Sequence, residues 1–114
     1  MKIIWSPLAI DRVDEIAQYI AQDSPNSAQK WVESTFQVVE RLEKFPKSGR
    51  IVPEIMQDDF REIIHGNYRI IYRVQSKVVA ILTVRHGRQI LPIDEIKSCS
   101  KSGWLILIPL PVDY

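Results

Sequence analysis

The stretch TVRHGRQILP (Thr83–Pro92) ends an apolar run by placing Arg85, His86 and Arg88 within four residues. Two guanidiniums supply fixed positive charge, and an imidazole titrates near neutrality, so the cluster has the chemistry of an anion site. Arg69 and Arg73 lie upstream in YRIIYRV (Tyr68–Val74), Arg61 opens the preceding apolar segment, and Glu54 follows Pro53 in a polar stretch. Each has a plainer reading when taken singly. Arg69 and Arg73 could be sheet-edge charges or partners of Glu62, His86 could close a strand before Gly87, and Glu54 could be a solvated loop acid.

The elements that must carry these residues are legible from periodicity. Lys2–Trp5 is a short β-branched and aromatic run, a first strand. Ser6-Pro7 and Ser24-Pro25 each give a hydroxyl cap followed by proline at the first helical position, where a missing N–H is harmless. From the first, Leu8, Ala9, Val13, Ile16, Ala17 and Ile20 fall on one helical face to about Gln22. From the second, Ala28, Val32, Thr35, Val39 and Leu42 form a stripe that Trp31, Val38 and Phe45 widen, ending at Pro46 and Gly49. So short a link implies an antiparallel helical hairpin. After a loop from Lys47 to about Asp59, three extended segments follow: Arg61–His65, Tyr68–Gln75 and Val78–Arg85. Gly66-Asn67 and Ser76-Lys77 between them suit two-residue hairpin turns. The expected fold is therefore α+β, an N-terminal strand and an antiparallel two-helix hairpin on a small, mostly antiparallel sheet, in the order β-α-α-β-β-β.

These turns predict the faces of the sheet. They set Arg69 opposite Val84, Arg73 opposite Ala80 and Glu62 opposite Ile71. One face then holds Ile63, Ile70, Tyr72, Val74, Val79, Ile81 and Thr83, with Arg61, His65 and Arg85 toward its end; this is the face expected under the helices. The other holds Glu62, Ile64, Arg69, Ile71, Arg73, Ala80, Leu82, Val84 and His86. Such a mixture of apolar and basic groups suits a surface that meets an anion and a protein partner.

Composition narrows the class. The chain has 114 residues, 46% hydrophobic and 25% charged, enough for one folded domain. A single cysteine, Cys99, excludes an intrachain disulfide, and two distant histidines, His65 and His86, do not make a zinc site with it. No cofactor is expected. The opening MKIIWSPLAIDR lacks an export pattern, and the apolar run from Trp104 to Val112 is too short to span a bilayer, so a cytoplasmic protein without membrane contact is expected. The formal charge of +1 is unevenly placed: residues 1–60 carry seven Lys/Arg against ten Asp/Glu, and residues 61–97 seven against three. The basic half contains the opening cluster.

The element order, the loop FPKSGRIVPE (Phe45–Glu54), the pair REIIHGNYRIIYRV (Arg61–Val74) and the ending ILTVRHGRQ (Ile81–Gln89) resemble the RelE/ParE superfamily of type II toxin–antitoxin toxins. The likeness runs from Met1 to about Ile96 and makes residues 1–96 the toxin domain. It implies a toxin that arrests growth, a plasmid-stabilising or addiction function, and a cognate antitoxin as partner. In the RelE/YoeB branch such toxins are metal-independent endoribonucleases that cut mRNA on the ribosome, and that pattern falls on Glu54, Arg69 and His86 as catalytic residues. In those roles a carboxylate accepts the 2′-hydroxyl proton, a guanidinium holds the phosphate and an imidazole protonates the leaving oxygen. The His-Gly-Arg ending is more similar to ParE, whose members poison DNA gyrase without cutting RNA, and this reading is the favoured one. A folded relic that does neither is the third. Arg61, Arg73, Arg85 and Arg88 are the candidates for contact with the target or its phosphates, and Ile64, Ile71, Leu82 and Val84 for contact with the antitoxin. A homodimer is left open.

Residues 97–114 form an atypical tail. Lys97–Gly103 reads as a polar linker and Trp104–Ile108 as a strand that could add to a sheet edge and occupy the antitoxin's place.

Overall fold

The computed structural model describes residues 1–87. Arg88, Cys99 and the expected tail strand lie outside them. The elements are β1 (Lys2–Trp5), α1 (Pro7–Ala21), α2 (Pro25–Glu40), a short 3-10 turn (Arg41–Glu43), β2 (Arg50–Ile51), β3 (Phe60–His65), β4 (Tyr68–Gln75) and β5 (Val78–His86). The sheet order is β1-β5-β4-β3-β2, with β1 parallel to β5 and every other pair antiparallel. The expected α+β architecture is the observed one. Among the described residues no helix is long and apolar enough to cross a membrane.

Both helices begin where the Ser-Pro pairs place them. Ser6 Oγ accepts from Ala9 N–H at 3.0 Å, and Ser24 Oγ from Ser27 N–H at 3.2 Å. The expected stripe of α2 is buried at Ala28, Val32, Thr35, Val39 and Leu42. Of these, Val32, Val39 and Leu42 pack with Ile3, Trp5, Ala9, Val13, Ile70, Tyr72, Val79, Ile81 and Val84 into the main core between helices and sheet. Trp5 and Phe36 meet edge to face, 4.9 Å between centroids. Phe45 does not widen the stripe: the helix tightens into the 3-10 turn before reaching it, and Phe45 is 64% exposed.

The expected loop 47–59 contains the two-residue strand β2, which pairs Arg50 with Glu62 and Ile51 with Arg61. Gly49 lets the chain enter this edge strand. A Cβ there would lie 2.5 Å from the Glu62 carbonyl oxygen and 2.6 Å from the Tyr72 hydroxyl, which accepts from Gly49 N–H at 3.0 Å.

The register of β3 on β4 follows the predicted turn, with Glu62 opposite Ile71. That of β4 on β5 follows it only in part. Arg73 does face Ala80, but a bulge at Ile71/Tyr72 advances the far end by one residue, so Arg69 faces Arg85 and not Val84. Because side chains alternate, the slip inverts the end of β5. Val84 and His86 turn to the helical side, opposite Ile70 and Tyr68, while Thr83 falls opposite Ile71. The bulge is tied to the N-terminus: Ser6 Oγ donates to the Leu82 carbonyl at 2.7 Å, and Ser6 N–H to that of Ile81 at 2.9 Å.

Candidate functional site

The face of the sheet away from the helices is covered by the chain between β2 and β3. Val52 and Phe60 pack there with Ile71, Ala80 and Leu82, backed by Ile55, in a second apolar cluster. Beside it runs a chain of alternating charges. Arg69, projecting from β4, donates from Nη1 and Nη2 to the two Glu54 oxygens at 2.8 and 2.9 Å, and from Nε to Glu62 Oε1 at 2.8 Å. Its Nη2 also donates to Glu62, and Arg50 Nε to the other Glu62 oxygen. Glu62 is 1% exposed and Arg69 7%. A buried carboxylate is tolerable here because cations meet it from both sides.

This arrangement sets the chemistry of the pair. The fork from Arg69 holds the Glu54 carboxyl below the ordinary carboxylate range, against the opposing effect of burial. Its hydrogen bonds to Glu54, and then those to Glu62, raise the affinity of Arg69 for its proton. Glu54 is thus a weaker base than a free carboxylate, and most of the Arg69 N–H groups are committed to carboxylates. His86 lies across the sheet from them. Its ring meets Tyr68 at 5.6 Å between centroids, and Tyr68 meets Trp31 of α2 at 5.3 Å. The expectation that Arg69 and His86 share a face is therefore corrected, the cause being the bulge in β5. Glu54 and Arg69 are brought together; His86 is not with them.

The remaining candidates separate as well. Arg61 donates to the carbonyls of Gly49 and Asp58 and to the Asp58 carboxylate, and Arg73 binds Asp59 at 2.7 Å with its guanidinium 4.9 Å over the Phe60 ring. Both brace the chain around 47–60. Lys47, ahead of Arg61, holds the exposed Asp58 below the usual carboxylate range. Of the four residues nominated for the antitoxin, Ile71, Leu82 and Val84 are wholly buried, the first two under the second cluster and Val84 in the main core. Only Ile64 is exposed, at 55%.

On the helical side, a cleft of about 430 Å³ opens between α1 and the ends of β4 and β5, lined by Arg12, Glu15, Ile16, Tyr19, Tyr68, Val84, Arg85 and His86. Arg12 and Glu15 form an ion pair at 3.0 Å on its rim, and Tyr19 is 69% exposed. Nearby, Ser34 Oγ lies 3.0 Å from His65 Nε2, joining α2 to β3, and burial lowers the His65 pKa. Ser34 also donates to the Trp31 carbonyl at 3.0 Å, so the hydroxyl links the backbone of α2 to β3. Among the described residues no group of His, Cys, Asp and Glu is arranged to hold a metal.

Residues 3–91 match the family described as ParE toxin of type II toxin-antitoxin system, parDE. The chain belongs to the ParE toxin family. "Putative toxin Y4kP" of Sinorhizobium fredii (strain NBRC 101917 / NGR234) is 38% identical over 93 residues, 80% of this chain and 93% of that protein. A solved chain titled "Chromosomal ParDE TA system from P. aeruginosa" shares the fold at a TM-score of 0.64 and 22% identity, covering 75% of this chain and 95% of that one. Membership makes this ParE-family chain a toxin and implies a cognate antitoxin as its partner.

Sequence reasoning missed Arg50, Arg12 and Tyr19. An exposed aromatic three residues past Ile16, outside the apolar stripe of α1, was the available sign for Tyr19. Nothing local marks Arg50 as the partner of a buried acid twelve residues ahead.

Proposed function

We propose that this toxin arrests growth by binding a protein target, DNA gyrase, and not by cutting mRNA. One observation carries the reading: the Arg69 guanidinium is clamped between Glu54 and Glu62 on one side of the sheet while His86 sits on the other. Cleavage of a phosphodiester needs base, phosphate holder and acid around one phosphorus atom, within hydrogen-bond reach of it. An RNA phosphate would have to displace two carboxylates to reach Arg69. The antitoxin's place is the helix-side cleft, where Ile16, Tyr19 and Tyr68 offer apolar surface and Arg12 and His86 line the polar part. In a plasmid-stabilising module, loss of that partner would free the toxin.

The test is a supercoiling assay with purified gyrase, run beside mapping of mRNA ends after induction in cells. Inhibition of gyrase without new mRNA ends is expected. Ribosome-dependent cleavage by the wild type that vanishes in a His86→Ala variant of wild-type stability would replace this reading with the endoribonuclease one.

A further inference from the structure

The helix-side cleft is aromatic, and its rings are held in place by one another. Tyr68 on β4 meets Trp31 at 5.3 Å and His86 at 5.6 Å between centroids, both edge to face. Tyr19 lines the α1 side; it is 69% exposed and lies outside the main core, so the fold gains little from it. At about 430 Å³ the cleft is within the size range of ligand pockets, roughly 300–1,000 Å³. Aromatic-lined grooves take proline-containing peptides, because a pyrrolidine ring packs against an aromatic face and brings no N–H to be desolvated.

The chain carries such a peptide itself. The family match ends at residue 91, and beyond it Trp104–Val112 reads WLILIPLPV. Every side chain of that run is apolar, and water is an unfavourable surrounding for all of them. Pro109 and Pro111 predict an extended end to the run: they exclude a helix and disfavour helical backbone at Ile108 and Leu110. A segment so restricted loses little freedom on entering a groove. The tether places it near this cleft. The described chain ends at Gly87, one residue past His86, so the tail departs from the cleft's own wall. Residues 88–107, at about 3.3 Å each, reach up to roughly 65 Å, ample for the chain to turn back. Such a tether gives an effective concentration on the order of millimolar, so a contact of modest affinity is populated. We propose that Ile108–Val112 of this chain occupies the helix-side cleft, with Pro109 and Pro111 against Tyr19, Tyr68 and His86. Its consequence rests on the reading that puts the antitoxin in this cleft: the antitoxin must displace the toxin's own tail.

Paramagnetic broadening in the full chain tests the contact. Cys99 is the single cysteine, so a chain with Cys99→Ser and Asp113→Cys takes one nitroxide label beside an intact Ile108–Val112. The amide signals of Ile16, Tyr19 and His86 should broaden more than those of Glu54–Asp59 across the sheet, and adding Pro109→Ser with Pro111→Ser should abolish the difference. Equal broadening at both places, or none, overturns the proposal. So does broadening of an isotope-labelled chain by nitroxide carried on a different molecule, which would put the tail in a second copy's cleft. Without the label, the Pro109→Ser/Pro111→Ser chain should bind its antitoxin about tenfold more tightly, as a tail docked about nine-tenths of the time requires. Selective broadening with unchanged antitoxin affinity keeps the tail contact and removes the cleft as the antitoxin's place.

Discussion

On the helical side of the sheet burial is hydrocarbon against hydrocarbon, with Trp5, Val13, Val39 and Ile81 closing a continuous core. On the opposite side five buried residues lie under a loop fastened by carboxylate–guanidinium pairs. The same sheet is thus sealed by two different forces. Apolar burial is nondirectional and tolerates repacking, whereas a buried ion pair is strong only while every partner is present. The second face can hold a loop in a fixed pose because charge pairs fix direction as well as distance.

Removing one partner should break the comparison most severely. Arg69→Ala leaves Glu62 buried with Arg50 alone and should cost about 3–5 kcal/mol, read as a lowered urea midpoint. Replacing both members by hydrocarbon, Arg69→Met with Glu62→Leu, should recover much of that loss. A double variant no more stable than the single one would mean that the loop depends on apolar cover after all.

A smaller effect is expected at the junction of the two faces. Ser6 is fully buried, caps α1 and meets the bulge carbonyl of Leu82, so Ser6→Ala removes two hydrogen bonds and should cost about 1–3 kcal/mol in the same titration.

Acid should separate the faces by the pH at which each responds. Burial lowers the pKa of His65, so the unfolded chain binds that proton first. Stability on the helical side therefore falls as pH drops from about 6.5 through the lowered value, and is constant below it. Glu54 is depressed by Arg69, so its contribution is intact above about 4.5 and is lost as pH falls through the folded-state value. Thermal melts from roughly pH 8 to pH 3 should show two declining limbs, the upper absent in His65→Gln and the lower reduced in Glu54→Gln. A single limb unchanged by either substitution would contradict both assignments.

Much of the fold was legible because its signals are local. A hydroxyl before proline starts both helices, spacing by three and four marks the α2 stripe at Ala28, Val32, Thr35 and Val39, and Gly66, with φ 60°, turns the first hairpin. The site was less legible because it depends on a slip of one residue. In VVAILTV every residue is apolar or β-branched, so no change of polarity records where the bulge falls, and the alternation rule carried His86 and Val84 to the wrong side. β2 escaped notice because two residues have no period, and its partner Glu62 reads as an ordinary surface acid until the fold closes over it.

The edge position of β1, beside β5, couples the first and last strands among the described residues. Lys2 pairs with Val78 and Trp5 with Ile81, a separation of 76 residues in each case, so this pairing cannot form on a nascent chain until β5 has left the ribosome. Fragments that stop short of it lack the strand on which Trp5 is seated. A fragment that ends before β5 therefore cannot close the sheet on that side.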